Sequence, residues 1–327
     1  MTTLSSTPPL TDATPPTFEG WRADGILSVD DLSDADIAYL FALCDFYAPF
    51  VAAGAPPPRR LEGKTQVNLF YENSTRTNLS FEIAGKKLGA DVLNVPVAAS
   101  SVNKGEALVD TAQTLDAMGA AVMVIRHGER GAQARLADRL GARIVNGGDG
   151  AAEHPTQALL DAATLRTAFG RIEGLTIAIC GDVRHSRVAG SNARLLARLG
   201  AQLRFVGPPP LMPADGDFAD APRFDRLDDG LAGVDVAMAL RIQSERMDGT
   251  DAQAAAAGYF DAYGLTHARL DAVAPNAKVM HPGPMNRGVE IDGALADDPA
   301  RSLILAQVFH GVPMRMAVLD AVVNRGA

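Results

Sequence analysis

Side chains that could bind an anion are concentrated in YENSTRTNLS, at residues 71–80. The stretch follows an apolar run and precedes apolar residues at helical spacing, so we expect a strand, a turn and a helix. Ser74 or Thr75 would cap this helix, beside Arg76 and the hydroxyl of Thr77. A helix N-terminus with hydroxyls and a guanidinium is typical of a phosphate site. Taken alone, the stretch also fits a plain capped helix with a solvated arginine.

Two further polar clusters occur in the first half of the sequence. ASSVNKGEAL, at residues 99–108, places Ser100 and Lys104 in a loop that could close on an anion. Arg126 and His127 directly follow the apolar run AVMVI, where a side chain can point into a ligand crevice. A solvated loop lysine and ordinary solvation of a strand end remain the alternatives.

A fourth cluster, GDGAAEHPTQALLD, places His154 and Gln157 three residues apart at the expected start of a helix. Side chains at this spacing can face the same way. Histidine can donate to a developing oxyanion, and a glutamine amide can recognise a carbamoyl NH2 group. A structural histidine is the alternative.

Three clusters occupy the second half. GDVRHSRVAGSN, RIQSER and HPGPMNRGVEI each follow an apolar strand-like run. They carry Arg184, His185, Arg187, Arg241, Gln243, Arg246, His281, Pro282, Gly283 and Pro284. The prolines and glycine of the last cluster would fix a rigid turn whose carbonyls face a ligand. The Gly-x-Gly-x-x-Gly fingerprint is missing, which argues against a nicotinamide-dependent dehydrogenase.

The bulk composition narrows the classes of protein. A length of 327 residues suggests about two domains. A net charge of −9 argues against sequence-independent nucleic-acid binding. Cys44 and Cys180 are too few for a disulfide framework or a Cys-rich zinc site, and we expect both to be buried in a reducing compartment. We expect no metal or cofactor.

Targeting signals are also not evident from the sequence. No apolar run approaches the roughly 18 residues of a membrane span, and residues 1–18, rich in Thr, Ser and Pro, do not resemble a secretory signal. We expect these residues to form a disordered tail and the protein to be cytoplasmic.

The pattern of apolar runs predicts an α/β protein. Eight strands are expected, at residues 65–71, 91–96, 121–127, 142–148, 175–182, 201–207, 234–241 and 277–283. They are mostly continuous apolar runs, which favours buried parallel strands. Three Leu-Gly-Ala triplets, at 88–90, 140–142 and 199–201, are expected to end helices. We expect helices at 155–168 and within 301–325, and two doubly wound domains, each with a mostly parallel sheet, joined by helices.

Together these motifs resemble the aspartate carbamoyltransferase catalytic chain. The resemblance runs in the same order through STRT, SVNKGE, RH, HPTQALLD, GDVRHSRVAGSN, RIQSER and HPGPMNRGVEI, and covers roughly residues 20–325. It implies a carbamoyl-phosphate domain (19–154 and 303–327) and an aspartate domain (155–302). It also implies carbamoyl transfer to L-aspartate in pyrimidine biosynthesis, and a homotrimer whose active sites are shared between subunits.

The resemblance further implies a role for each candidate residue. Phosphate would be bound by Ser74, Thr75, Arg76, Thr77 and Arg126, with Ser100 and Lys104 donated by the adjacent chain. The carbonyl oxygen would be bound by Thr77, Arg126 and His154, and the carbamoyl nitrogen by Gln157. Arg187 and Arg241 would bind the aspartate carboxylates beside Gln243, and carbonyls around Gly283 and Pro284 would receive the amino groups.

Some questions stay open at the level of the sequence. Asn78 stands where the family usually has arginine, at a position tied to domain or loop contacts more than to the reacting atoms. An ornithine-type enzyme is the nearest alternative, but HPGP replaces its usual His-Cys-Leu-Pro and Ser-Met-Gly is missing. A catalytically silent phosphate-binding paralogue is a second alternative. A regulatory chain or a dihydroorotase-like protein is a possible partner.

Overall fold

The computed structural model describes residues 14–95, 106–213, 218, 220–243 and 258–327. The chain forms two compact units, one ending at Asp149 and completed by His310–Ala327, the other running from Gly150 to Phe309. The domain limits expected from the sequence, at 154/155 and 302/303, remain predictions. Most of the expected tail lies outside the described residues. At its end, the amide of Phe18 donates to the carbonyl of Gly326 at 2.7 Å.

Nine strands are present in the described part of the chain. They are β1 (Thr65–Phe70), β2 (Asp91–Val95), β3 (Ala120–His127), β4 (Arg143–Asp149), β5 (Thr176–Cys180), β6 (Gln202–Val206), β7 (Arg223–Phe224), β8 (Val236–Ala239) and β9 (Lys278–Met280). All eight expected strands are confirmed. The sequence analysis missed β7, because two residues are too short to show a pattern.

The α-helices of the same residues alternate with these strands. They are α1 (Asp34–Ala53), α2 (Thr75–Lys87), α3 (Leu108–Ala117), α4 (Ala134–Ala137), α5 (Pro155–Phe169), α6 (Arg187–Arg198), α7 (Leu227–Leu231), α8 (Tyr259–Tyr263), α9 (His267–Val273), α10 (Gly293–Asp297) and α11 (Ile304–Asn324). The two expected helices, α5 and α11, are confirmed, and Pro155 is the first residue of α5. Proline is favoured there because that amide has no partner within the helix.

Each unit contains one parallel sheet. The strand order is β2-β1-β3-β4 in the first unit and β7-β6-β5-β8-β9 in the second. Every pairing is parallel. In β3 the four consecutive residues from Val122 to Ile125 are fully buried, so both faces of the strand are covered. This explains why β3 is a continuous apolar run rather than an alternating one.

Two of the three Leu-Gly-Ala triplets end helices as expected. Gly89 and Gly200 follow α2 and α6 with φ of +87° and +84°, a left-handed conformation that glycine adopts without a steric penalty. The expectation is wrong for Gly141, because α4 already ends at Ala137. The amide of Gly141 instead donates to the carboxylate of Asp116 at 3.0 Å.

Helix α1 is apolar because it belongs to the core of the first unit. By length and composition alone it could cross a membrane, with a hydropathy of 1.4 over an 18-residue window, but half of that window is buried. Its Tyr47 is fully buried and donates from Oη to Oδ2 of Asp320 on α11 at 2.5 Å. Arg60 donates from Nε to the other carboxylate oxygen at 3.1 Å. Burial, followed by the charge of Asp320, raises the pKa of the Tyr47 phenol.

We expect Asp320→Ala to destabilise the protein by about 3–5 kcal/mol, because it leaves the buried hydroxyl of Tyr47 and Nε of Arg60 without their acceptor. Urea unfolding followed by circular dichroism measures this change. Asp297→Ala is the matched control. It removes an ion pair with Arg287 at 2.6 Å, but both side chains are exposed, so the unfolding midpoint should hardly move. Equal shifts in the two variants would contradict the structural role of Asp320.

Candidate functional site

The turn between β1 and α2 places the first cluster at the N-terminus of a helix. Ser74 occupies the cap position with an extended backbone, as expected, but its side chain makes no capping hydrogen bond. The position of the cap is therefore confirmed, but the prediction that the side chain of Ser74 caps the helix by a hydrogen bond is wrong. The first helical bond runs from the amide of Asn78 to the carbonyl of Ser74 at 3.0 Å. The amides that precede Asn78 have no carbonyl within the helix to bond, which makes them suitable donors to an anion.

The electrostatics of this helix start favour an anion. The first turn of α2 contains no acidic residue. Arg76 is exposed, yet nearby protein atoms desolvate its guanidinium enough to lower its pKa from the ordinary value. The guanidinium stays positively charged at neutral pH, as arginine side chains in proteins do. Thr77, in contrast, is only 4% exposed.

Arg126 lies at the same edge of the sheet. It is the next-to-last residue of β3 and lies opposite Phe70, the last residue of β1. Its carbonyl accepts from the amide of Tyr71 at 2.8 Å. The guanidinium lies 3.4 Å from the carboxylate of Glu72 and donates to the carbonyl of Gly147 at 3.2 Å. The first unit thus brings Arg126 to the sheet edge where α2 begins.

In the second unit, His154 and Gln157 begin α5. His154 is the cap residue and is 3% exposed. Its amide donates to Oγ of Ser191 on α6 at 2.8 Å. Gln157 is 8% exposed, and its side-chain Nε2 donates to Oδ1 of Asp161 at 2.9 Å. The helix start is therefore held by hydrogen bonds to its surroundings.

The arginines expected to bind carboxylates lie near the ends of neighbouring strands. Arg187 opens α6 and is 3% exposed. Beyond β8, Arg241 donates to Oε1 of Gln243 at 3.1 Å. The amide of Gln243 donates to Oδ2 of Asp182 at 3.0 Å. Because Asp182 follows β5, this bond joins the ends of two adjacent strands.

The turn after β9 is held by a buried His–Glu pair. Nδ1 of His281 accepts from the amide of Gly283 at 2.8 Å, and Nε2 lies 3.0 Å from Oε1 of Glu290. Both side chains are 1% exposed. Since Nδ1 is the acceptor, the proton is on Nε2 and is donated to Glu290. This arrangement positions the backbone of Gly283 and Pro284, in agreement with the expected rigid turn.

Two protein-family models match successive parts of the chain, and the first extends past Gln157 into the second unit. Residues 25–167 match the carbamoyl-P binding domain of the aspartate/ornithine carbamoyltransferases. Residues 173–322 match the Asp/Orn binding domain of the same family. The chain belongs to the aspartate/ornithine carbamoyltransferase family.

Three similar proteins are named as aspartate carbamoyltransferases or aspartate transcarbamoylases. The aspartate carbamoyltransferase catalytic subunit of Granulibacter bethesdensis is 52% identical over 300 residues, or 92% of this chain and 95% of the relative. The catalytic subunit of Rhizorhabdus wittichii is 58% identical over 267 residues, or 81% of this chain and 84% of the relative. Aspartate transcarbamoylase from Trypanosoma cruzi, solved with carbamoyl aspartate and phosphate, matches with a TM-score of 0.85 and 33% identity. The match covers 95% of this chain and 99% of that protein.

Not every expected site residue of this carbamoyltransferase can be placed. Ser100, Lys104 and Arg246 lie outside the described residues. The other candidates are Ser74, Thr75, Arg76, Thr77 and Arg126 in the first unit, and His154, Gln157, Arg187, Arg241, Gln243, Gly283 and Pro284 in the second. Their individual roles remain predictions.

The sequence analysis missed the polar residues that hold these candidates in place. Asp161 could have been noticed, because it lies four residues after Gln157, a spacing that places both on one face of the expected helix. Asp182 and Glu290 stand inside quoted motifs but had no assigned role. Gln307, whose side chain also reaches Asp161, lies 146 positions further along the chain, and nothing in the sequence connects the two.

Other ionisable groups of the carbamoyltransferase are poorly suited to nucleophilic chemistry. Burial raises the pKa of the Cys180 thiol to about 12, so it is protonated at neutral pH. Both cysteines are buried and neither forms a disulfide, as expected. Burial also raises the pKa of the Tyr259 phenol. Within the described residues, no group of three or more His, Cys, Asp or Glu side chains could hold a metal ion.

Proposed function

We propose that this chain transfers the carbamoyl group of carbamoyl phosphate to the amino group of L-aspartate, giving N-carbamoyl-L-aspartate and phosphate. The observation that carries the proposal is that each of the two family domains has its own set of cationic groups. One unit has a helix N-terminus with Arg76 and Arg126 at its sheet edge. The other has Arg187 and Arg241 near its strand ends, which suits a substrate with two carboxylates.

The phosphate of carbamoyl phosphate binds the first-turn amides of α2 and the side chains from Ser74 to Thr77. Arg126 adds a second guanidinium, and Ser100 and Lys104 of a neighbouring chain complete the set. Each charge-assisted hydrogen bond contributes about 1.5–3 kcal/mol. Several such bonds are needed because two anionic substrates must be held next to each other.

The carbonyl oxygen of the substrate accepts hydrogen bonds from Thr77, Arg126 and His154. These donors stabilise the negative charge that develops there when the amine attacks the carbamoyl carbon. Gln157 accepts from the carbamoyl NH2 group. On the aspartate side, Arg187 and Arg241 bind the two carboxylates beside Gln243, and the carbonyls around Gly283 and Pro284 receive the amino groups.

The reaction proceeds by direct attack of a neutral amine on the carbamoyl carbon. A tetrahedral oxyanion forms, and the bond to the phosphate oxygen breaks. The departing phosphate takes the proton released by the amine, since no carboxylate in the motif set is an evident general base. Most of the catalytic effect then comes from positioning and from electrostatic stabilisation.

The choice of amino acid tests this function. With carbamoyl phosphate present, we expect turnover with L-aspartate and none above background with L-ornithine, because guanidiniums repel a cationic side chain. A colorimetric ureido assay measures both products. Turnover with ornithine alone would support the related enzyme class, and turnover with neither would support a silent phosphate-binding paralogue.

We expect His154→Ala to lower kcat by about 10²–10³, the usual effect of losing one oxyanion donor. The fold should survive, because the bond from this position to Ser191 is made by the backbone amide. Steady-state kinetics and a thermal melt together measure the two effects. Wild-type turnover in a folded variant would rule out the proposed role of His154.

The assembly and the cellular setting also belong to the proposal. The chain acts in pyrimidine biosynthesis in the cytoplasm, as a homotrimer in which each active site receives Ser100 and Lys104 from the adjacent subunit. Native mass spectrometry should show a mass three times 34.3 kDa. A stable monomer with full activity would exclude shared sites, and a larger mass would point to a regulatory chain or a dihydroorotase-like partner.

A further inference from the structure

The buried carboxylate of Asp161 is hydrogen-bonded to the side chain of Gln157. Asp161 follows Gln157 by about one turn of α5, and none of its surface is exposed. Its Oδ1 accepts from Nε2 of Gln157 at 2.9 Å and from Nε2 of Gln307 at 2.8 Å. Its Oδ2 accepts from Nδ2 of Asn192 at 2.8 Å. The carboxylate therefore brings together side-chain amides from α5, α6 and α11.

This carboxylate determines which end of the Gln157 amide faces inward. A glutamine amide has a donor end and an acceptor end of nearly the same shape, so a neighbour must select the orientation. The reverse orientation would bring two acceptors, Oε1 of Gln157 and Oδ1 of Asp161, against each other. Because Nε2 is held by Asp161, Oε1 is the end of the amide that remains to accept a hydrogen bond from another group. Among the described residues, Oε1 of Gln157 has no hydrogen-bond partner.

The same carboxylate fixes a second amide with the same polarity. Because Nε2 of Gln307 also points at Asp161, its Oε1 is left to accept, and it does so from the backbone amide of His281 at 2.9 Å. His281 is the first residue of the turn that contains Gly283. One buried anion thus sets the orientation of two amides, and the partner of one of them is visible within the chain.

We propose that Asp161 is a positioning residue that makes Gln157 an obligatory hydrogen-bond acceptor, and so selects a substrate whose acyl group carries NH2. The proposal rests on the proposed function, in which Gln157 meets the carbamoyl nitrogen. Asp161 itself touches no substrate. It acts by excluding the flipped orientation of the Gln157 amide, in which an N–H of Gln157 would face an N–H of the substrate.

A pair of phosphates distinguishes this role from general support of the fold. Carbamoyl phosphate and acetyl phosphate differ by NH2 against CH3 and otherwise have nearly the same shape. The discrimination ratio is the inhibition constant of acetyl phosphate divided by the KM of carbamoyl phosphate. Loss of the oriented acceptor weakens only carbamoyl phosphate and lowers this ratio, whereas general damage to the site weakens both ligands and leaves it unchanged.

The test variant is Asp161→Ser. Its hydroxyl, with a water in the vacated space, can still bond the three amides, but each can donate as well as accept and no longer selects one orientation. We expect the discrimination ratio to fall roughly tenfold, the usual effect of losing one hydrogen bond, while the inhibition constant of acetyl phosphate stays close to the wild-type value. Asp161→Thr, which fills more of the space, replaces it if the serine variant does not fold.

Asn192→Ser is the matched control. It removes an amide from the same buried carboxylate, but on Oδ2, and leaves both amides on Oδ1 in place. The ratio in this variant should stay within twofold of wild type. If Asp161 acts through Gln157, adding Asp161→Ser to Gln157→Ala should lower the ratio no further than Gln157→Ala alone.

The outcomes separate the two levels of the argument. A folded Asp161→Ser or Asp161→Thr enzyme whose ratio is within twofold of wild type overturns the positioning role, as does an equal fall in Asn192→Ser. An additive effect in the double variant also overturns it, because Asp161 would then act independently of Gln157. Failure of the wild-type enzyme to use carbamoyl phosphate and aspartate would instead refute the proposed function.

Discussion

Parallel strands of one sheet all end at the same edge, and this constraint underlies the candidate site. In the first unit, β1 and β3 are neighbours, so the turn that starts α2 lies beside Arg126. In the second, β5, β8 and β9 are neighbours, so the loops that follow them converge at one edge. Residues that are far apart in the sequence are thereby brought together without any local signal of their proximity.

Recognition of anions by an acidic protein requires local rather than global positive charge. The net charge of −9 would repel a negatively charged metabolite at long range. At the helix start, however, the first-turn amides and Arg76 are not opposed by an acid in the same turn. In the second unit, Arg187 is almost completely buried. A buried guanidinium interacts strongly with a carboxylate because little water screens it.

Buried carboxylates supply much of the positional control in both units. Asp320 holds Tyr47 and Arg60 in the first unit, and Asp161 and Glu290 hold amides and a histidine in the second. Asp320 and Asp161 each accept several donors at once, so their burial is compensated by hydrogen bonds. Because an anion accepts but does not donate, it also fixes which end of each partner faces it.

The sequence by itself determined the class of fold and the chemical types of the candidate residues. Most of the eight expected strands were found because burial on both faces of a parallel sheet demands continuous apolar runs, although β2 is largely exposed. The helix start at Ser74 and the proline at Pro155 were readable because caps and first turns restrict local residue types. The two-residue strand β7 and the early end of α4 were not readable, since no periodic pattern marks them.

Tertiary structure decided how the candidate side chains are oriented. The sequence indicated that Gln157 could recognise an NH2 group, but not which end of its amide would be available. That depends on Asp161, Asn192 and Gln307, which come from three helices, and on the bond from Gln307 to His281. A hydrogen bond between residues 146 positions apart leaves no pattern in a single sequence, because its geometry exists only after the helices have packed.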